Sequence, residues 1–183
     1  MKPALAIALA LACILLTQST AAEVADSASS GFTLKITLNV HATPGDVYRH
    51  LVNVGDWWEP THTFSGDAHN LTLEDKAAGC WCEKLPDGGS VRHMEVIMVK
   101  PGKLLRLSGM LGPMQPLGAS GTMSIELTPT EGGTRIDVQY AVGGYLPAGW
   151  HTFAAPVDSV LTLQFTRLKN YAETGDPSGK SQK

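Results

Sequence analysis

His93 and Glu95 stand two residues apart in the run from Val91 to Lys100. In an extended strand, that spacing puts an imidazole and a carboxylate on one face. Val91, Ile97 and Val99 share their parity, while Arg92, Met94, Val96, Met98 and Lys100 take the other. Arg92 and Lys100 are costly to bury, so the set with His93 and Glu95 is expected to face inward. Such a pair can orient a polar ligand or move a proton, which makes both residues candidate catalytic groups. Their mutual attraction raises the histidine pKa and lowers that of the glutamate, and desolvation opposes both effects.

Cys80-Trp81-Cys82-Glu83 is the most unusual local segment. In a strand both sulfurs lie on one face, with Cα atoms about 6.6 Å apart. A disulfide needs Cβ atoms at about 3.8 Å, so strand geometry opposes the bond, while an oxidising compartment favours it. Two free, small side chains are a second reading. A metal site is a third; it would need two further ligands from His62, His69 or His93, at no standard zinc spacing. No metal and no cofactor is expected. Trp81 shares its parity with Glu83, so an inward Trp81 brings Glu83 inward too.

Aromatic residues gather at two further places. Trp57-Trp58 follows a short helical pattern, and Tyr145 and Trp150 precede a long one. All four are expected around the mouth of an internal space. His62 and His69 fall in a loop. The chain has no phosphate loop, dinucleotide fingerprint, nucleophile elbow or zinc-protease motif.

Several elements must position these groups. Phe32, Leu34, Ile36, Leu38 and Val40 alternate with polar residues, the period of a half-buried strand. Thr43-Pro44 caps a short amphipathic helix carrying Val47, Leu51 and Val54, and Asp56 to Pro60 reads as another helical turn. Strands follow at Leu71 to Glu74, Gly79 to Leu85, Val91 to Lys100, Leu104 to Leu111, and around Met123–Leu127 and Ile136–Val142. Turns at Pro86-Asp87-Gly88-Gly89, Pro101-Gly102 and Glu131-Gly132-Gly133 separate the later ones. From about Ala148 to Glu173 the period changes. Trp150, Phe153, Val157, Leu161, Phe165 and Leu168 recur at three and four, a long amphipathic helix ended by Gly175 and expected to kink or restart at Pro156. The expected fold is α+β: a curved antiparallel sheet of about seven strands around one long C-terminal helix, with two short helices after the first strand. A single helix on such a sheet leaves a cavity. Phe153, Val157, Leu161 and Phe165 are expected to form its floor.

Of the 183 residues, 43% are hydrophobic and 17% charged, with a net charge of −3. That excludes a disordered chain and gives nucleic-acid binding no electrostatic support. Lys2, an apolar run of about 13 residues from Ala4 to Leu16, and small residues ending at Ala22 read as a secretory signal peptide over residues 1–22. The run is shorter than the roughly 20 residues of a membrane span, so no stable membrane anchor is expected after cleavage. Residues 23–31 read as a flexible lead-in, 32–175 as the domain and 176–183 as a flexible tail.

The Thr43-Pro44 helix start, the Trp57-Trp58 pair, the Gly79 strand, the span from Val96 to Leu107 around Pro101-Gly102, and Gly133-Thr134-Arg135 resemble, in that order, the SRPBCC superfamily. Within this START-like, helix-grip superfamily the chain is most similar to the polyketide cyclase/dehydrase and heat-shock ATPase activator-like group of bacterial proteins. The resemblance implies a hydrophobic ligand cavity and leaves the reaction open. Two functions follow: a secreted, periplasmic binding or carrier protein for a small apolar molecule, or a cyclase/dehydrase-type enzyme using His93 and Glu95 as acid and base. A chaperone-regulating role conflicts with export. The expected ligand-binding residues are Trp57, Trp58, Trp81, Glu83, His93, Glu95, Tyr145, Trp150, Phe153, Val157 and Leu161.

Overall fold

The computed structural model describes residues 21–180, so the signal-peptide reading falls almost wholly outside the described residues. The strands are β1 (Ala21–Ala28), β2 (Gly31–Val40), β3 (Leu71–Leu73), β4 (Cys80–Lys84), β5 (Ser90–Lys100), β6 (Leu104–Gly109), β7 (Ala119–Thr130) and β8 (Gly133–Gly144). They form one open antiparallel sheet in the order β1-β2-β8-β7-β6-β5-β4-β3. The helices are α1 (Pro44–Val52) and α2 (His151–Thr174), and single 3-10 turns stand at Val54–Asp56, Pro60–His62, Ala68–Asn70 and Gly112–Met114. No described helix is long and apolar enough to cross a membrane.

The alternation read from the sequence sets the inward face of the central strands. Phe32, Leu34, Ile36, Leu38 and Val40 of β2 are buried, as are Met123, Ile125 and Leu127 of β7 and Ile136, Val138, Tyr140 and Val142 of β8. The α2 stripe of Ala154, Leu161, Phe165 and Leu168 joins them in one core. Thr43 caps α1, its hydroxyl accepting from the Asp46 amide at 3.2 Å. Gly175, at φ 76°, closes α2, and its amide donates to the Tyr171 carbonyl at 2.8 Å.

Four expectations are corrected. Among the described residues the strands number eight, and α1 with its following turn comes after the second of them. The extra strand is β1, laid over the stretch expected to be a flexible lead-in. Only Val24 among its described side chains packs against the core, and the main-chain ladder to β2 holds the rest. A ladder needs no apolar alternation, which is why composition hid this strand. Finally, α2 runs as one helix through Pro156 rather than restarting there. Pro156 is the sixth residue of α2, so it forgoes the bond to the Thr152 carbonyl and its ring crowds that carbonyl, a local cost that the remaining turns outweigh. In the expected tail, the side chain of Asp176 accepts from the Ser178 amide at 2.8 Å, forming a turn. Residues 181–183 lie outside the described residues.

Cys80 and Cys82 are joined by a disulfide, with Cα atoms 5.3 Å apart. This is closer than two steps of an ideal strand. The bridge closes almost no loop, so it adds little through the unfolded chain. Replacing both cysteines by serine is expected to preserve the fold and most of the thermal stability. Loss of a cooperative melt would contradict that.

Candidate functional site

The register of β5 decides which chemistry faces inward. Met94 pairs with Trp81 and Arg92 with Cys82, so His93 is an extra residue between them. Val96 then pairs with Leu107 and Met98 with Arg106, which makes Ile97 a second extra residue. Each bulge turns the side-chain frame over. His93 and Met94 are therefore both buried, Val96 follows inward, and Ile97 is exposed. Gly109 faces the first bulge at φ 148°, where a Cβ would fall 2.5 Å from the His93 carbonyl oxygen.

The bulge separates the pair expected from strict alternation. Glu95 lies on the outer face, where it accepts from Arg92 at 3.0 Å with a partly exposed side chain. His93 is 6% exposed and meets Glu83 instead: Nε2 lies 2.9 Å from Glu83 Oε2. Glu83 is 1% exposed, inward together with Trp81 as their shared parity requires. Its Oε1 accepts from the Ser65 amide.

Burial pushes the Glu83 carboxyl up, but the Ser65 and Phe64 backbone and His93 together hold it below the ordinary range. Burial lowers His93, and Glu83 only partly offsets this. The pair at neutral pH is thus a carboxylate and a neutral imidazole. A carboxylate only accepts, so the imidazole proton sits on Nε2 and Nδ1 carries a bare lone pair. Nδ1 is buried and has no partner among the described residues. Both shifts act the same way on stability. Below the ordinary histidine value of 6.5, the unfolded chain takes up a proton that folded His93 still refuses, so stability falls with pH. Glu83 adds its own loss at lower pH, from about 4.5 down through its depressed value. The decline in unfolding free energy between about pH 6.5 and 5 is expected to be shallower in His93→Gln. Identical slopes would contradict the assignment.

Beside this pair lies an apolar cavity of about 570 Å³. One wall is α2, through Phe153, Pro156, Val157, Val160 and Leu161. The second is the segment of Trp58 and Thr61 to Phe64, and the third is Leu111 to Met114. The second wall is tied to α2 by three contacts. Arg167 Nε donates to the Trp57 carbonyl at 2.8 Å, Arg167 pairs with Glu59 at 2.8 Å, and the Glu59 amide donates to Gln164 at 2.8 Å. Two smaller hollows, of about 330 and 320 Å³, lie along Asp26–Thr33 and on the outer face near Arg106.

Of the residues expected to bind a ligand, Trp58, Phe153, Val157 and Leu161 line this cavity. Trp57 is core, 6.1 Å from the Phe165 ring, which places Phe165 behind the floor rather than in it. Trp150 is fully buried against Phe32 and Phe153, and Tyr145 is 77% exposed. Trp81, Glu83 and His93 lie one ring behind the wall: Trp58 meets Trp81 edge-on at 5.1 Å, and Phe64 stacks on His93 at 5.9 Å. Sequence reasoning missed Phe64 and the Leu111–Met114 wall. The latter was legible only as a proline-bearing apolar loop, and Phe64 as an isolated aromatic among polar residues. Among the described residues, no three His, Cys, Asp or Glu side chains converge as metal ligands.

This architecture defines the chain as an α+β protein with an open antiparallel sheet, a long C-terminal helix and an apolar space beside them. No family model and no curated protein matches the chain. Solved structures share the fold. CalU16 from Micromonospora echinospora superposes with a TM-score of 0.56 at 11% identity, over 84% of each chain. MLL2253 from Mesorhizobium loti gives 0.54 at 17% identity, over 75% of this chain and 93% of that one. The di-domain ARO/CYC StfQ of the steffimycin biosynthetic pathway gives 0.53 at 15% identity, over 79% of this chain and 50% of its own. At such identities the likeness is one of fold.

Proposed function

We propose that this protein is an SRPBCC-type, helix-grip carrier that holds a small apolar molecule in the cavity between α2, the Trp58–Phe64 segment and the Leu111–Met114 loop. The observation that carries the reading is the cavity itself, about 570 Å³ walled by Trp58, Phe64, Met114, Phe153, Val157 and Leu161. Burying a ligand's apolar surface there contributes roughly 25 cal/mol per Å². The apolar run and small residues of 1–22 support export, and the Cys80–Cys82 bridge suits an oxidising compartment. Fold likeness to StfQ, named as an ARO/CYC protein, supports the cyclase-like side of the resemblance.

A second reading, a cyclase/dehydrase-type enzyme, has one observation in its favour: a buried, neutral His93 held by Glu83. In that reading His93 acts as base and Glu83 positions it, and Glu95 has no part because it faces outward. Native mass spectrometry of the purified protein tests the carrier. A noncovalent apolar adduct, lost on denaturation, is expected. Protein that carries none and takes up no added naphthalene would overturn the reading.

A further inference from the structure

Three of the four tryptophans spend their indole N–H on a main-chain carbonyl. Trp57 donates to His50 at 2.9 Å, Trp58 to His62 at 3.0 Å and Trp150 to Gly144 at 3.0 Å. Trp81 does not. It is 4% exposed, and its Nε1 has no partner among the described residues. The bare Nδ1 of His93 is the neighbouring case, with the two ring centroids 6.3 Å apart. A buried donor and a buried acceptor are thus left open on two neighbouring rings. Each is costly to leave unmade, and such atoms in a native fold call for an occupant.

The occupant's chemistry follows from the two atoms. Of the groups that both accept from an indole N–H and donate to an imidazole lone pair, a hydroxyl is the smallest an apolar ligand can carry, and a single water is the other candidate occupant. A carbonyl or ether would satisfy Trp81 alone, and an ammonium would satisfy His93 alone. The route to the pair is aromatic. Trp58 and Phe64 line the cavity, and each rests on one member of the pair. Phe64 is 52% exposed, so its ring can turn aside while the next residue stays anchored by the Ser65 amide on Glu83. A flat ring passing between these side chains keeps aromatic contact throughout.

We propose that Trp81 Nε1 and His93 Nδ1 form a two-point subsite, one ring behind the cavity, for the hydroxyl of a phenolic ligand. This rests on the cavity reading above and names the class of molecule it holds. Glu83 is a positioning residue: it fixes the imidazole proton on Nε2 and so keeps Nδ1 an acceptor.

The test compares 2-naphthol with naphthalene, titrated at pH 7.5 into the full folded protein. Wild type is expected to bind 2-naphthol at least about tenfold tighter, the scale of a matched buried hydrogen bond. Trp81→Phe keeps the ring and removes the N–H. It should lose most of that preference and leave naphthalene affinity within about twofold of wild type. Glu83→Gln is the second variant. Its amide oxygen must face the Ser65 amide, which turns its NH₂ toward His93 and moves the imidazole proton to Nδ1. The hydroxyl preference should fall there too, with naphthalene unaffected. Equal binding of both probes by wild type, or a preference that survives Trp81→Phe, would overturn the subsite and leave the apolar cavity standing. Binding of neither probe would overturn the cavity reading and the subsite together.

Discussion

Leu168→Asp is expected to lower the melting temperature by about 10 °C or more. Leu168 is fully buried, on the α2 stripe that includes Leu161 and Phe165 and closes over the sheet. A carboxylate there has neither water nor a partner, and an unpaired buried charge costs several kcal/mol. A domain of this size has only about 5–15 kcal/mol of net stability, so the loss is a large share of it. The neighbouring Leu161→Asp should also destabilise, but less, because Leu161 borders the cavity and water can reach a charge there. A Leu168→Asp melt within two degrees of wild type would place α2 elsewhere than over the sheet.

Val160→Trp is expected to weaken naphthalene binding by about tenfold or more while leaving the fold intact. Val160 is partly buried in the α2 wall of the cavity. An indole there occupies the ligand's space without entering the packed core, so overpacking strain is small. The far-ultraviolet circular dichroism should match wild type. Undiminished binding in a correctly folded Val160→Trp would place the ligand outside this cavity.

The central sheet was legible because its strands obey strict alternation. Phe32 to Val40 and Ile136 to Val142 bury every apolar residue of one parity. The stripe of α2 and the Thr43-Pro44 start of α1 were legible for the same local reason, a period or a cap written in adjacent residues. β1 was hidden because a main-chain ladder holds it while its side chains stay mostly exposed. β5 was misread for a different reason. Its two bulges invert the frame at His93 and restore it at Ile97, so parity is right at Val91 and Val99 and wrong at Glu95. A glycine in the facing strand, Gly109, was the available hint of close backbone approach.

The same bulge explains how the buried pair arises. An extra residue turns His93 inward beside Met94, and from there it reaches across to Glu83 on β4. Trp81 and Glu83 could be linked by parity from the sequence. Their meeting with His93 could not, since it depends on pairing between strands. The cavity walls depend on still longer-range contacts. Trp57 and Glu59, which flank Trp58, are tied to α2 by Arg167 and Gln164, more than a hundred residues away in the chain. No local pattern records such a tie.

The central claim is that an apolar molecule sits between α2, the Trp58–Phe64 segment and the Leu111–Met114 loop. Its most direct test is a methyl and aromatic chemical-shift titration with naphthalene. Shifts concentrated on Trp58, Phe64, Met114, Phe153, Val157 and Val160, saturating at one molecule per chain, are the predicted result. Shifts confined to the hollow along Asp26–Thr33, or scattered without saturation, would contradict it.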